Sequence, residues 1–127
     1  MRLLLDTGAL AWWFTSDKSL SEAADRAIKS KANEIVVSVA SAWELSIKDN
    51  AGKLRMGNLL ARLPDDLENS GFTVLPIELE HAMRAGALPL HHKDPFDRML
   101  IAQAHAESLF VISSDPVFDH YGVRRIW

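Results

Sequence analysis

Four carboxylates in this chain fall where apolar runs give way to helical patterns: Asp6, Glu44, Asp97 and Asp115. Asp6 directly follows the run LLL, Asp97 lies in the first turn of a helical pattern opened by Asp94-Pro95, and Asp115 follows LFVI and two serines. In a parallel α/β sheet, ligands bind where strands end and helices begin. Glu44 differs, because it lies within a helical pattern. Over residues 39–52, Ala40, Trp43, Ile47 and Ala51 form an apolar stripe. Glu44 falls inside that arc, about 40° from Ala40 at ~100° per residue. Asp97 likewise shares a face with Leu100, Ile101 and Ala104. An ionised carboxylate turned toward a core is costly unless it is paired or bound to a metal. Core-facing cations are scarce here, so a divalent metal is the economical partner. Oxygen-only ligation selects Mg²⁺ or Mn²⁺. One ion fits such a set, and so do two about 3.5–4 Å apart, clamping the attacking and leaving oxygens of a phosphoryl displacement. The chemistry implied is hydrolysis of a phosphodiester by metal-activated water.

Capping competes with this reading at single positions. Asp94 with Pro95 makes a good helix start, with Asp97 favoured by the helix dipole. Asp115-Pro116 suits a short helix, and Asp6 or Thr7 suits the start of ALAWWF. Capping explains neither Glu44 nor the collection of acids at one edge.

The elements that must carry these acids alternate. Apolar, β-branched-rich runs at 3–5, 34–38, 72–77, 109–112 and 123–126 read as strands. Helical patterns occupy ALAWWF, 21–31, 39–52, 58–70, 78–86 and 95–108, with Gly52, Gly71 and Gly86 as stops. Nearly all-apolar strands separated by helices indicate a parallel sheet covered on both faces. The expected fold is therefore a three-layer α/β/α domain with a central parallel sheet of about five strands, one domain over 1–127.

Composition sets the outer limits. The chain has 127 residues, 48% of them hydrophobic, enough for one domain with a real core. With no cysteine, disulfides, thiolate metal sites and a cysteine nucleophile are excluded. A net charge of −3 argues mildly against non-specific nucleic-acid binding but not against an enzyme acting on nucleic acid. The opening MRLLLD is too short an apolar run for a secretory signal, and no segment is long enough to span a membrane, so a cytoplasmic location is expected.

The stretch LLLDTGAL also matches the Asp-Thr-Gly loop of aspartic proteases. That fold is mostly β, needs glycine-rich hairpins, and requires a second apolar-apolar-Gly element. Only six glycines occur here, no such element follows, and ALAWWF continues as helix.

The residues resemble the PIN-domain ribonucleases, and within them the VapC-type toxins of bacterial toxin–antitoxin pairs. The resemblance spans essentially the whole chain, through LLLDTGALAWW, SVASAWELSIKDNAGKL, LPLHHKDPFDRMLIAQA and VISSDPVFDHYGV. The third block is the most specific. The resemblance implies an Mg²⁺- or Mn²⁺-dependent endoribonuclease, a homodimer, and an antitoxin that covers the site with a basic side chain directed at the acids. It assigns the ligands to Asp6, Glu44, Asp97 and Asp115, the last holding either a metal or a water. It assigns Ser113 to orienting Asp115 or a water. Gly8 departs from the histidine or serine that many relatives place after Asp-Thr, at a position that is not an inferred ligand.

Around these acids, Arg98 is expected to contact an RNA phosphate or to pair with an acid such as Asp94. Lys48, at i+4 from Glu44, is expected either to pair with it or to reach phosphate. His91, His92 and Lys93 form a basic loop stretch, either touching substrate or solvated, and outside the direct metal ligands. Trp43 reads as core. The run Trp12-Trp13-Phe14 is too apolar for an exposed helix and reads as a dimer or partner surface. Two other functions compete with cleavage: a degenerate PIN module that holds metal without catalysis, and a phospho-acceptor receiver. The receiver lacks the second acid it needs beside Asp6.

Overall fold

The strand β1 (Arg2–Leu5) is the centre of the molecule. Three consecutive leucines, Leu3, Leu4 and Leu5, have no solvent exposure, and alternation along the strand sends them to opposite faces. Leu3 and Leu5 join Ala9, Leu10, Ile28, Leu45 and Leu63 in one core. Leu4 joins Val36, Leu100, Ile101, Val111 and Phe118 in the other. A strand apolar on both sides must be covered on both sides, and this requirement makes the fold three-layered.

In the computed structural model, which describes residues 1–127, β1 leads to α1 (Thr7–Phe14), α2 (Glu22–Lys29), β2 (Glu34–Ser38) and α3 (Val39–Asn50). There follow α4 (Leu59–Ser70), β3 (Thr73–Leu75), α5 (Leu79–Ala87), α6 (Pro95–Glu107) and β4 (Phe110–Ile112). A short 3₁₀ helix (Pro116–Tyr121) and β5 (Arg125–Ile126) complete the chain. The five strands are all parallel, in the order β3-β2-β1-β4-β5. Every expected strand forms, and the expected α/β/α sheet with five parallel strands is what the chain adopts. No helix is long and apolar enough to cross a membrane.

Helix starts follow local chemistry. Asp6, Ser21, Ser38 and Asp94 accept hydrogen bonds from first-turn amides of α1, α2, α3 and α6. Gly71 ends α4 in the left-handed region at φ 70°. The helix stop expected at Gly86 is displaced: α5 runs through Gly86 to Ala87. The reason is Pro89. The residue before a proline is driven out of helical conformation, and Leu88 is extended at ψ 147°.

One surface expectation is corrected. Trp43 is not core: it is 58% exposed, and Ile47 is 46% exposed. The buried face of α3 is instead Ala40, Ser41, Glu44 and Leu45. The helix packs against both α1 and α6, where small residues at 40 and 41 permit close approach and an indole would not. Trp43 packs outside, edge-on to Phe96, with ring centroids 5.2 Å apart. Conversely, the Trp12-Trp13-Phe14 run is half-buried by its own chain. Trp12 meets Trp127 at 5.8 Å, and Phe14 meets Phe72 at 5.7 Å.

These environments order the stability costs. Leu4→Ala and Leu5→Ala should each destabilise the protein by about 2–5 kcal/mol in urea unfolding. Trp43→Ala should cost less than either, because its side chain is already in water. Equal losses at positions 5 and 43 would contradict the assignment of β1 as the centre.

Candidate active site

The acids gather because strand register delivers them. Leu5 is paired with Ile112 across the β1–β4 ladder, so the next residues, Asp6 and Ser113, emerge side by side. The Asp6 amide donates to the Ile112 carbonyl at 3.1 Å and extends the ladder by one bond. On the other flank Leu5 pairs with Val37, so β2 ends beside β1 and turns at once into α3. Glu44 projects from the second turn of α3. The chain crosses from the β2–β3 side of β1 to the β4–β5 side at this point, the position where parallel α/β sheets open a crevice.

Each acid has local fixing partners. Asp6 Oδ1 accepts from the Ala9 amide at 2.7 Å, so the Asp-Thr-Gly loop is a helix cap rather than part of a β hairpin. Asp97 Oδ2 is 2.8 Å from His92 Nε2. Because an ionised carboxylate only accepts, the imidazole nitrogen is the donor. Asp115 caps the 3₁₀ helix through the Val117 amide at 2.9 Å, and its own amide donates to the buried Ser113 hydroxyl at 2.9 Å. Lys48 Nζ pairs with Glu44 Oε2 at 2.9 Å, the ion pair that its i+4 spacing predicts. The other oxygen, Glu44 Oε1, is buried and has no hydrogen-bond partner.

The electrostatics report one shared environment. Burial pushes the Asp6 carboxyl up from 3.8 to about 6, and the Asp97 and Asp115 charges add to the rise. The Ser113 hydroxyl and the Ala9 amide pull the other way. Burial also raises Asp97; the His92 hydrogen bond opposes it, while the Asp94 and Glu44 charges reinforce it. The acids are therefore near enough to repel one another. As the side chains stand, no three Asp, Glu or His groups converge closely enough to hold an ion. The donor chemistry nonetheless fits a hard divalent cation, since it is all carboxylate and includes an oxygen with its lone pairs free in a dry place.

Arg98 is corrected. It is buried, and its guanidinium is engaged with backbone carbonyls rather than with Asp94. Nη1 donates to the Pro89 and His92 carbonyls at 3.0 and 3.1 Å, and Nη2 donates to those of Ala85 and Leu88 at 2.9 Å each. The pre-proline turn leaves these carbonyls without helical partners, and a guanidinium fork satisfies them together. Three other features escaped the sequence reading. Thr7 Oγ1 donates to Ser41 Oγ at 3.1 Å, joining α1 to α3 one turn before Glu44, and both residues are buried. The only hint was polar residues within an inward arc. His92 reaches Asp97, while His91 and Lys93 are exposed. The third is the largest groove, of about 740 Å³, lined by Trp12, Trp13, Asp17 and Lys29 among others and by none of the four acids.

Raising the Asp6 pKa makes its ionisation a burden on the metal-free fold. The neutral carboxyl is favoured by folding, so this contribution is complete below the ordinary value of 3.8 and is lost as pH rises through about 6. Asp6→Asn keeps a capping oxygen and removes the charge. In chelator at neutral pH it should raise stability by on the order of 1 kcal/mol, after allowance for the site's open side. The gain should disappear near pH 4, a dependence that thermal unfolding across pH measures directly.

The family model described as PIN domain matches residues 3–123. Among solved structures, VapBC2 from Rickettsia felis bound to a promoter DNA fragment is similar at TM-score 0.72 and 14% identity, with 100% of both chains covered. VapC20 from Mycobacterium tuberculosis, described as a sarcin-ricin loop cleaving toxin, is similar at TM-score 0.71 and 14% identity, with 95% of each chain covered. A toxin–antitoxin complex from Klebsiella pneumoniae gives TM-score 0.63 and 21% identity over 90% of this chain and 87% of that one. No curated protein matches the chain in sequence. With the model covering all but the ends, and the acids lying where the sheet opens, the chain belongs to the PIN-domain family.

Proposed function

We propose that this chain, as a single PIN unit over 1–127, is a divalent-metal-dependent endoribonuclease of the VapC type, the toxin of a toxin–antitoxin pair. The observation that carries the reading is Glu44 Oε1, a buried carboxylate oxygen without a partner beside acids whose pKa values burial has raised. Its neighbours in structure support the toxin assignment: one is described as a sarcin-ricin loop cleaving toxin, another as a toxin–antitoxin complex, and a third as DNA-bound VapBC.

Asp6, Glu44 and Asp97 would hold Mg²⁺ or Mn²⁺, with Asp115 binding directly or through a water. The chemistry such a bound ion would supply is activation of a water and neutralisation of charge on the phosphodiester. The chain's own groups prepare that site. Lys48 occupies one oxygen of Glu44 and leaves the other free. Ser113, buried between β4 and the 3₁₀ helix, holds the Asp115 backbone and lies beside Asp6. Thr7 and Ser41 set the approach of α1 to α3.

The partners follow from surfaces. Val39, Trp43 and Ile47 form an exposed apolar row along α3 at i, i+4 and i+8, continued by Phe96, and we assign the homodimer contact to it rather than to Trp12 and Trp13. An antitoxin would cover the acids with a cationic side chain. The whole assembly would work in the cytoplasm.

Purified protein should cleave RNA with Mn²⁺ or Mg²⁺ and stop in EDTA. Asp97→Asn should retain the fold by circular dichroism and lose more activity than the about 10- to 100-fold typical of changes one layer outside a metal. Cleavage in EDTA, or by the variant at wild-type rate, would overturn the mechanism. A wild-type protein that binds Mn²⁺ and cuts no RNA would instead establish the inactive module. Trp43→Glu should shift the protein to monomer in sedimentation, and an unchanged dimer would move the interface elsewhere.

A further inference from the structure

His92 is held in place by more than its ring. Its carbonyl accepts from Arg98 Nη1 at 3.1 Å, and the same guanidinium ties down Ala85, Leu88 and Pro89. Tyr121 Oη donates to the Pro89 carbonyl at 2.6 Å from the 3₁₀ helix that Asp115 caps. Beyond His92, Asp94 Oδ1 accepts from the amides of Phe96 and Asp97 at 2.8 and 3.0 Å and starts α6. The segment from 88 to 94 is thus fastened at both ends, and its fastening point, Arg98, is the helix neighbour of Asp97. The segment also packs His91 edge-on to Tyr121 at 5.3 Å, and held in this way it delivers the His92 ring to the candidate site, with Nε2 2.8 Å from Asp97 Oδ2.

We propose that His92 is a positioning residue for Asp97: its imidazole holds Oδ2, fixes the rotation of the carboxylate, and leaves Oδ1 free for a divalent cation. This rests on the divalent-cation reading given above. A half-buried carboxylate with Asp94 and Glu44 nearby is repelled by both charges, and without a donor it would turn toward solvent. The imidazole opposes that turn by hydrogen bonding, and the bond is short because backbone contacts place the ring before any ion arrives. Residues that orient metal-binding carboxylates in this way typically change affinity by about 10- to 100-fold when removed. Arg98, buried and engaged only with carbonyls, acts on the site through the loop and not by touching substrate.

Titrating Mn²⁺ into the full-length protein by calorimetry, without RNA, tests this. His92→Ala should weaken Mn²⁺ binding by about 10- to 100-fold, while its thermal midpoint in EDTA stays within a few degrees of wild type. His92→Gln, whose amide can still donate, should restore most of the affinity. Equal Mn²⁺ affinity in wild type and His92→Ala would overturn the role of His92 and leave the nuclease reading intact. Loss in His92→Gln as complete as in His92→Ala would also overturn it, since the hydrogen bond would not be the cause. Absence of Mn²⁺ binding by wild type would overturn both readings together.

Discussion

The structure turns on the cost of keeping negative oxygen atoms away from water at the end of a sheet. Glu44 places one oxygen against Lys48 and the other against nothing. Asp6 is held so far from solvent that its pKa climbs to about 6. A protein selected for stability alone would put a neutral residue at either position, because a carboxylate withdrawn from water costs free energy that one ion pair or one helix cap does not fully return. Under the proposed function a divalent cation would complete the arrangement, and the desolvation of these carboxylates would be part of what the site offers it.

The scaffold contributes by fixing backbone before side chain. Three leucines bury β1 on both faces, β2 and β4 flank it, and the register carries Asp6 and Ser113 out together. Three of the four acids sit at or just inside helix starts, two of them as caps. Capping does not isolate the carboxylate, since Asp6 Oδ1 accepts from Ala9 while the Asp97 and Asp115 charges still act on the same residue. Positioning by caps is economical: a single carboxylate satisfies a helix end and is thereby oriented.

Legibility differed between elements for definite reasons. The strands were plain because doubly covered parallel strands are unbroken apolar runs, and all five formed where expected. Glu44 faces inward as its spacing from Ala40 predicts, but the apolar arc around it is rotated from the one that periodicity suggests. Trp43 and Ile47 face solvent, and the buried set begins at Ala40 and Ser41. Periodicity fixes relative angles on a helix and says nothing about which arc meets the core when apolar residues surround it. The stop at Gly86 failed because Pro89, three residues later, controls where α5 ends.

Arg98 and His92 mark the division most clearly. Residue types and local spacing by themselves determined a three-layer α/β sheet and the acids that would stand at its edge, because alternation, burial and capping act over a few neighbours. They could not determine that a guanidinium would turn inward to bind four carbonyls, or that a loop imidazole would meet Asp97. Those contacts exist only after α5, α6 and the 3₁₀ helix have docked, since the carbonyls that attract Arg98 lose their partners only at the helix end. Tertiary structure decided them, because a hydrogen bond forms where geometry leaves a group unsatisfied and no local rule states where that will be.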